Sequence, residues 1–259
     1  MKKKSSLIKR WIALLGALAL MAALPACDME NAVLGETRSY GIQSDIRSLE
    51  ISVNAADFVI RHADAFSVES NLKYLSVSEE NGVLTITDEA PKRVSYEKAT
   101  LTLSIPEDAV FETIRIFTGA ARLTADALSG ERVSLTIGAG DASIQVLHAG
   151  KKAEIKGGAG RISISGGTLQ NLSLEMGVGE LNLSAALLGE SSLTLGVGAS
   201  NVTLLGEKET YTLEIEKGLG SITLDGKSVS GFDRRGDGEN HVEIEGGIGQ
   251  IRVDFETGA

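Results

Sequence analysis

The chain is 259 residues long, carries 35 acidic against 25 basic residues for a net charge of −10, and is only 4% aromatic. So acidic and aromatic-poor a composition argues against nucleic acid and anionic lipid as ligands, because both reward clustered Lys and Arg.

In chain order the first element is a leader. Lys2, Lys3, Lys4, Lys9 and Arg10 precede an apolar run from Trp11 to Leu24, and Leu24-Pro25-Ala26-Cys27 ends the segment. This is the build of a secretory signal over residues 1–26, too short for a mature transmembrane helix. A small residue before the chain's only cysteine resembles a bacterial lipobox, after which Cys27 would become the lipid-modified N-terminus and hold the protein to the outer face of the cytoplasmic membrane. The alternative is an ordinary signal peptide cut near Ala26, with Cys27 a free thiol. Cleavage takes 25 basic residues to 20 and the net charge from −10 to −15. Residues 27–45 are polar with scattered small residues and read as a tether.

From residue 46 to 110 aliphatic and polar residues alternate: Leu49, Ile51, Val53; Phe58, Ile60; Phe66, Val68; Leu75, Val77; Val83, Ile86; Leu101, Leu103, Ile105. Period two puts every second side chain on one face of a strand. Asn81-Gly82 is a hairpin signal between two such runs, and the stretch from Ala90 to Glu97, with Pro91, reads as a loop. This N-terminal β region either caps the open end of the repeats C-terminal to it, where an unpaired edge would invite aggregation, or continues them as irregular coils.

Residues 111–256 are repetitive. A small-residue corner recurs at Gly119-Ala120-Ala121, Gly138-Ala139-Gly140, Gly158-Ala159-Gly160, Gly177-Val178-Gly179, Gly196-Val197-Gly198, Gly218-Leu219-Gly220 and Gly247-Ile248-Gly249. The first six lie 19, 20, 19, 19 and 22 residues apart and the last spacing is 29. A period near 20 is too short for a domain and fits one coil of a solenoid. An aliphatic stands three before the leading glycine, as at Leu135, Ile155, Leu174, Leu193, Ile215 and Ile244, and others follow at four and six, as at Leu181 and Leu183. Each repeat therefore reads as strand, glycine corner, strand. No helical period is visible, so the expected fold is all-β, a β-solenoid with coils of about 20 residues. Glycine suits the corner because tight turns need positive φ and stacked backbones leave no room for a Cβ.

Together, Leu24-Pro25-Ala26-Cys27, Leu49-Glu50-Ile51-Ser52-Val53, Leu103-Ser104-Ile105-Pro106 and the serial Gly-x-Gly corners resemble the bacterial putative-adhesin family of β-strand-repeat lipoproteins, and also their head-domain relatives among auto-transporter adhesins. The resemblance covers roughly Ile46 to Phe255. It implies a right-handed, single-stranded β-helix and offers no catalytic residues to carry over.

Sharper chemistry fails on spacing. Gly157-Gly158-Ala159-Gly160 and Gly246-Gly247-Ile248-Gly249 begin like the calcium-binding nonapeptide, but Ile162 and Ile251 stand where that motif needs Asp, so no metal is expected. The glycine corners never open a helix, which removes the dinucleotide reading and leaves no cofactor expected. His62, His148 and His241 share no motif, while Glu154, Glu175, Glu214, Glu243 and Glu245 alternate with core aliphatics and read as solvated face residues. A polysaccharide-active carboxylate pair stays a remote alternative, and the expectation is no enzyme. Arg235-Gly236-Asp237 lies in the loop from Gly226 to Asn240, where turn chemistry alone accounts for Gly and Asp. Two readings remain: a surface-anchored interaction module for an unidentified protein or polysaccharide, or a structural or envelope-sensing lipoprotein partnering membrane proteins. An exposed aliphatic or aromatic stripe on one solenoid face favours the first, a uniformly polar surface the second.

Overall fold

A computed structural model of the chain describes residues 30–31, 34–43, 45–90, 94–95 and 98–257. Cys27 and the leader lie outside the described residues. Alternation produces the expected strands: Ser48–Val53 and Val83–Asp88 bury every second residue, and Phe111–Thr118 buries Phe111, Ile114, Ile116 and Thr118. Longer strands, Arg122–Ile164, Leu172–Leu188, Glu190–Leu205 and Asn240–Glu256, run through the glycine corners without losing strand geometry.

Parallel ladders join rung to rung, linking residues nineteen or twenty positions apart: Leu147 faces Gly167, Ile155 faces Leu174, and Leu174 faces Leu193. Like residues therefore stack in columns. The inward column Ile86, Ile51, Ile116, Leu135 and, further on, Ile155, Leu174, Leu193, Ile244, Ile215 is buried throughout. The buried side chains from Ile46 to Val253 form one continuous core. Burying a rung's aliphatic face stabilises by about 1.5–3 kcal/mol per large side chain, which a lone rung cannot gain.

The rungs do not stack in chain order at either end. Ser48–Val53 lies between Val83–Asp88 and Phe111–Thr118, so the chain runs out to the first rung and returns. At the other end Asn240–Glu256 is inserted between Glu190–Leu205 on one side and Tyr211–Glu216 with Leu219–Leu224 on the other. The corner at Gly247 thus sits between those at Gly196 and Gly218, not after them. Both outermost rungs are covered by antiparallel strands: Leu75–Glu80 on Val83–Asp88, Ser67–Ser70 on Thr100–Pro106, Phe232–Arg235 on Tyr211–Glu216, and Lys227–Val229 on Leu219–Leu224. Antiparallel hairpins need only short turns, so they can close an edge that a parallel rung would leave open.

The fold departs from the sequence reading in four places. The stretch from Gly226 to Asn240, read as a loop, contains the strands Lys227–Val229 and Phe232–Arg235. Within the stretch read as a tether, Arg38–Gly41 pairs antiparallel with Ser67–Ser70; its polar residues carry too little alternation to betray a strand. Val94–Ser95, inside the expected loop, pairs with Glu30–Asn31. The N-terminal region is both continuation and cap: its parallel strands are rungs, and its antiparallel strands cover them. Its corner is Asn54-Ala55-Ala56, whose backbone carbonyls accept bonds from Ala120 and Arg122 of the next corner.

Candidate functional site

The corner is built from two kinds of glycine. At the leading position the constraint is clearance: a Cβ on Gly177 would stand 2.5 Å from the Gly158 carbonyl oxygen of the rung below. At the trailing position conformation adds to clearance, since Gly198 has φ +145 and a Cβ there would collide with the Gly179 carbonyl. The backbone of each corner thus lies directly on its neighbour, and the middle residue is forced outward as the tip.

Those tips form one line. Ala120, Ala139 and Ala159 occupy it in the first half of the stack, and Val178, Val197, Ile248 and Leu219 follow in consecutive register. The four aliphatics are 42%, 39%, 44% and 66% exposed, although side chains of this kind are otherwise mostly buried in this protein. Rungs spaced by about 4.8 Å make them a ridge of about 14 Å. Beneath it, a cavity of about 20 Å³ bordered by Met176, Leu195, Ile222 and Ile251 has room for a single water. Any ligand of this surface must therefore lie on it.

The flanks are polar and unequal. Along one side run Glu175, Thr194, Glu245 and Glu216, ending beside Phe232, which is 66% exposed. One outward column further, Glu243 is in register with Glu214. Glu214 is paired with Arg234 at 3.2 Å, whereas among the described residues no cation pairs with Glu216, Glu243 or Glu245. Glu216 and Glu245 are likewise in register, so two columns of like charge run along this flank. On the other side stand Glu180, Ala199, Gln250 and Ser221. Glu180 closes a ladder of alternating charge that contains the pairs Arg122–Asp57 at 3.1 Å and Arg161–Glu180 at 2.9 Å. Its carboxyl is held below the ordinary glutamate range, first by the hydrogen bond that Asn182 donates and then by Arg161.

Known proteins share this fold. Residues 46–253 match the family model Toastrack DUF4097. This chain belongs to the Toastrack DUF4097 family. The crystal structure of a putative adhesin from Bacteroides fragilis is 14% identical over 84% of this chain and 95% of that one, with a TM-score of 0.58, and shows the same fold. A putative lipid binding protein and a putative adhesin, both from Parabacteroides distasonis, are 15% and 16% identical, cover 86% and 88% of this chain and 99% and 100% of theirs, and have TM-scores of 0.47 and 0.43. Among curated proteins none matches.

The other candidate residues of this Toastrack chain do not converge. His148 accepts a bond from the Thr168 backbone at 3.2 Å, His62 lies near Asp64, Glu107 and Asp108, and His241 faces Glu190 and Thr212 in register, each on a different rung. His241, Glu190, Glu214 and Glu243 border a shallow depression of about 350 Å³, open to solvent and without an aromatic for sugar stacking. Glu154 is engaged by Lys156 at 2.9 Å, and its carboxyl is lowered mainly by that hydrogen bond. No group of three or more His, Cys, Asp or Glu is gathered for a metal among the described residues. In Arg235-Gly236-Asp237 the guanidinium donates to Asp233 at 2.7 and 2.9 Å, and Gly236 turns the chain with φ +82. What sequence reasoning missed is Phe232 and Glu216; their link to the corners, and that of Glu245 to Glu216, lies in the register alone.

Proposed function

We propose that this protein is a non-catalytic interaction module of the bacterial cell surface, an adhesin-like lipoprotein held by lipid on Cys27, whose right-handed single-stranded β-helix presents its corner ridge to a protein or polysaccharide partner. The exposed line Val178, Val197, Ile248 and Leu219 carries the reading. Soluble proteins seldom leave contiguous large aliphatics in water without a use for them. The name of the Bacteroides fragilis neighbour, a putative adhesin, agrees with it. The inward positions are spent on aliphatics, so contacts fall to the outward columns and the ridge, each weak alone and summed along an extended partner.

The test is crosslinking capture from intact cells with the wild-type chain and with an Ile248→Ser/Leu219→Ser double variant. Loss of the captured partner with unchanged melting supports the reading. Full capture by the variant, or a turnover of polysaccharide abolished by one Asp, Glu or His substitution, overturns it.

A further inference from the structure

We propose that the occupant of the ridge is a cationic amphipathic α-helix lying along the stack axis, an inference that rests on the interaction reading above and names the partner's chemistry. Three features of the surface select it: spacing, polarity and charge.

The aliphatic tips recur at the rung spacing of about 4.8 Å, so Val178 to Leu219 spans about 14 Å. A helical stripe at i, i+4, i+7 and i+11 advances about 5.4 Å per turn, about 16 Å in all, and stays within about 2 Å of phase over the ridge. An extended strand laid on the same axis repeats its face every 6.6 to 6.8 Å or so and reaches about 20 Å, more than a full rung out of step. The helix alone of the two meets all four tips.

Charge fixes the rest of the occupant. Glu216 and Glu245 are in-register carboxylates without a cation among the described residues, three positions before the tips Leu219 and Ile248. At about 3.3 Å per residue they lie within about 10 Å of the ridge, beneath the flank of a helix about 10 to 12 Å across. Lysines or arginines along one flank of that helix would give Glu216 and Glu245 the cation partners that the described residues do not supply. The opposite flank, with Ala199, Gln250 and Ser221 beside the last three tips and Glu180, already held by Arg161, beside Val178, asks for neutral polar residues. Phe232, beside Glu216 in register, adds an exposed ring one strand beyond the glutamate column, on the flank where the lysines would lie. An anionic membrane meets the same carboxylates with like charge. A second copy fits the spacing but sets its own unpaired Glu216 and Glu245 against this row, while Lys156, Arg161 and Arg234, the cations bordering it with Lys217, stand beside Glu175, Glu180 and Glu214 of their own chain.

The probe is a stapled peptide of about 18 residues, long enough to hold a helix, with Leu at i, i+4, i+7 and i+11 and Lys along one flank, together with a twin carrying Glu for Lys. Binding is read by fluorescence anisotropy on the purified chain. We expect the Lys peptide to bind and the Glu peptide not to. Ile248→Ser/Leu219→Ser should weaken the Lys peptide by at least about tenfold, and Glu216→Lys/Glu245→Lys should lose it and gain the Glu peptide, all with unchanged thermal melting. Equal binding of both peptides, or of neither, overturns the proposal. So does ridge-dependent dimerisation in sedimentation, or ridge-dependent capture by phosphatidylglycerol vesicles. If neither peptide binds while the Ser variant still loses its captured cell-surface partner, the helix falls and the interaction reading stands; if the Lys peptide binds but the Ser variant captures that partner in full, the interaction reading falls by itself.

Discussion

Gly177→Val measures how closely the corners are stacked. The φ of Gly177 is not in the left-handed region, so the substitution carries no conformational penalty of that kind, and its whole effect is steric. The new Cβ would stand 2.5 Å from the Gly158 carbonyl oxygen and 3.4 Å from that of Gly157, both backbone atoms of the rung below. Backbone cannot rotate away as a side chain can. Relief comes from parting two rungs, which costs about 1–3 kcal/mol for overpacking and weakens at least one ladder bond worth about 0.5–1.5 kcal/mol. The sum is about 1.5–4.5 kcal/mol, or roughly 3–18 °C in melting temperature for a chain of this size. Calorimetry or circular dichroism on the mature chain reads it. Gly41→Ala is the control: it lies in a strand where an added Cβ would meet nothing within 4 Å, and should change stability by less than about 1 kcal/mol. If Gly177→Val melts with the wild type, the rungs are not in contact at the corner and the stacked arrangement is wrong.

Tyr211→Phe should destabilise by about 1–2 kcal/mol in chemical denaturation, because the buried hydroxyl donates to the Leu205 carbonyl at 2.7 Å and accepts from the Leu187 N–H at 3.3 Å, and both would lose their partner; a change within error would mean that those groups find water. The Glu180 carboxyl should titrate below the ordinary glutamate value of 4.5 by carbon-detected NMR, and Asn182→Ala or Arg161→Gln should each move it up. Since the folded value is the depressed one, this group favours the fold above the unfolded value, and its contribution is lost as pH falls from about 4.5 through the folded value; an unshifted titration would mean that the charge ladder does not hold this carboxylate. Cys27→Ser should release the protein from the membrane fraction and alter its processing, and unchanged fractionation would favour an ordinary signal peptide.

The stripe of alternating aliphatics and the recurring Gly-x-Gly corners were legible in the sequence, because both record contacts that every rung makes in the same way. Leu174 and Leu193 point inward whatever their neighbours are, and glycine recurs at the corners from Gly138 onward because each of those backbones rests on its neighbour. The strand Arg38–Gly41 and the corner Asn54-Ala55-Ala56 were hidden, since one is too polar to alternate and the other lacks the glycine. Only the tertiary structure decided the order of the last rungs. The 29-residue spacing before Gly247 reads as a lengthening loop from Gly226 to Asn240, whereas the chain there runs to the edge of the stack and back. Placing Asn240–Glu256 between Glu190–Leu205 and Tyr211–Glu216 is what brings Ile248 between Val197 and Leu219 and sets Glu245 against Glu216. The sequence determined which residues face outward; which of them meet was decided by the parallel insertion of Asn240–Glu256 between two earlier rungs, a contact between distant segments that no local pattern encodes.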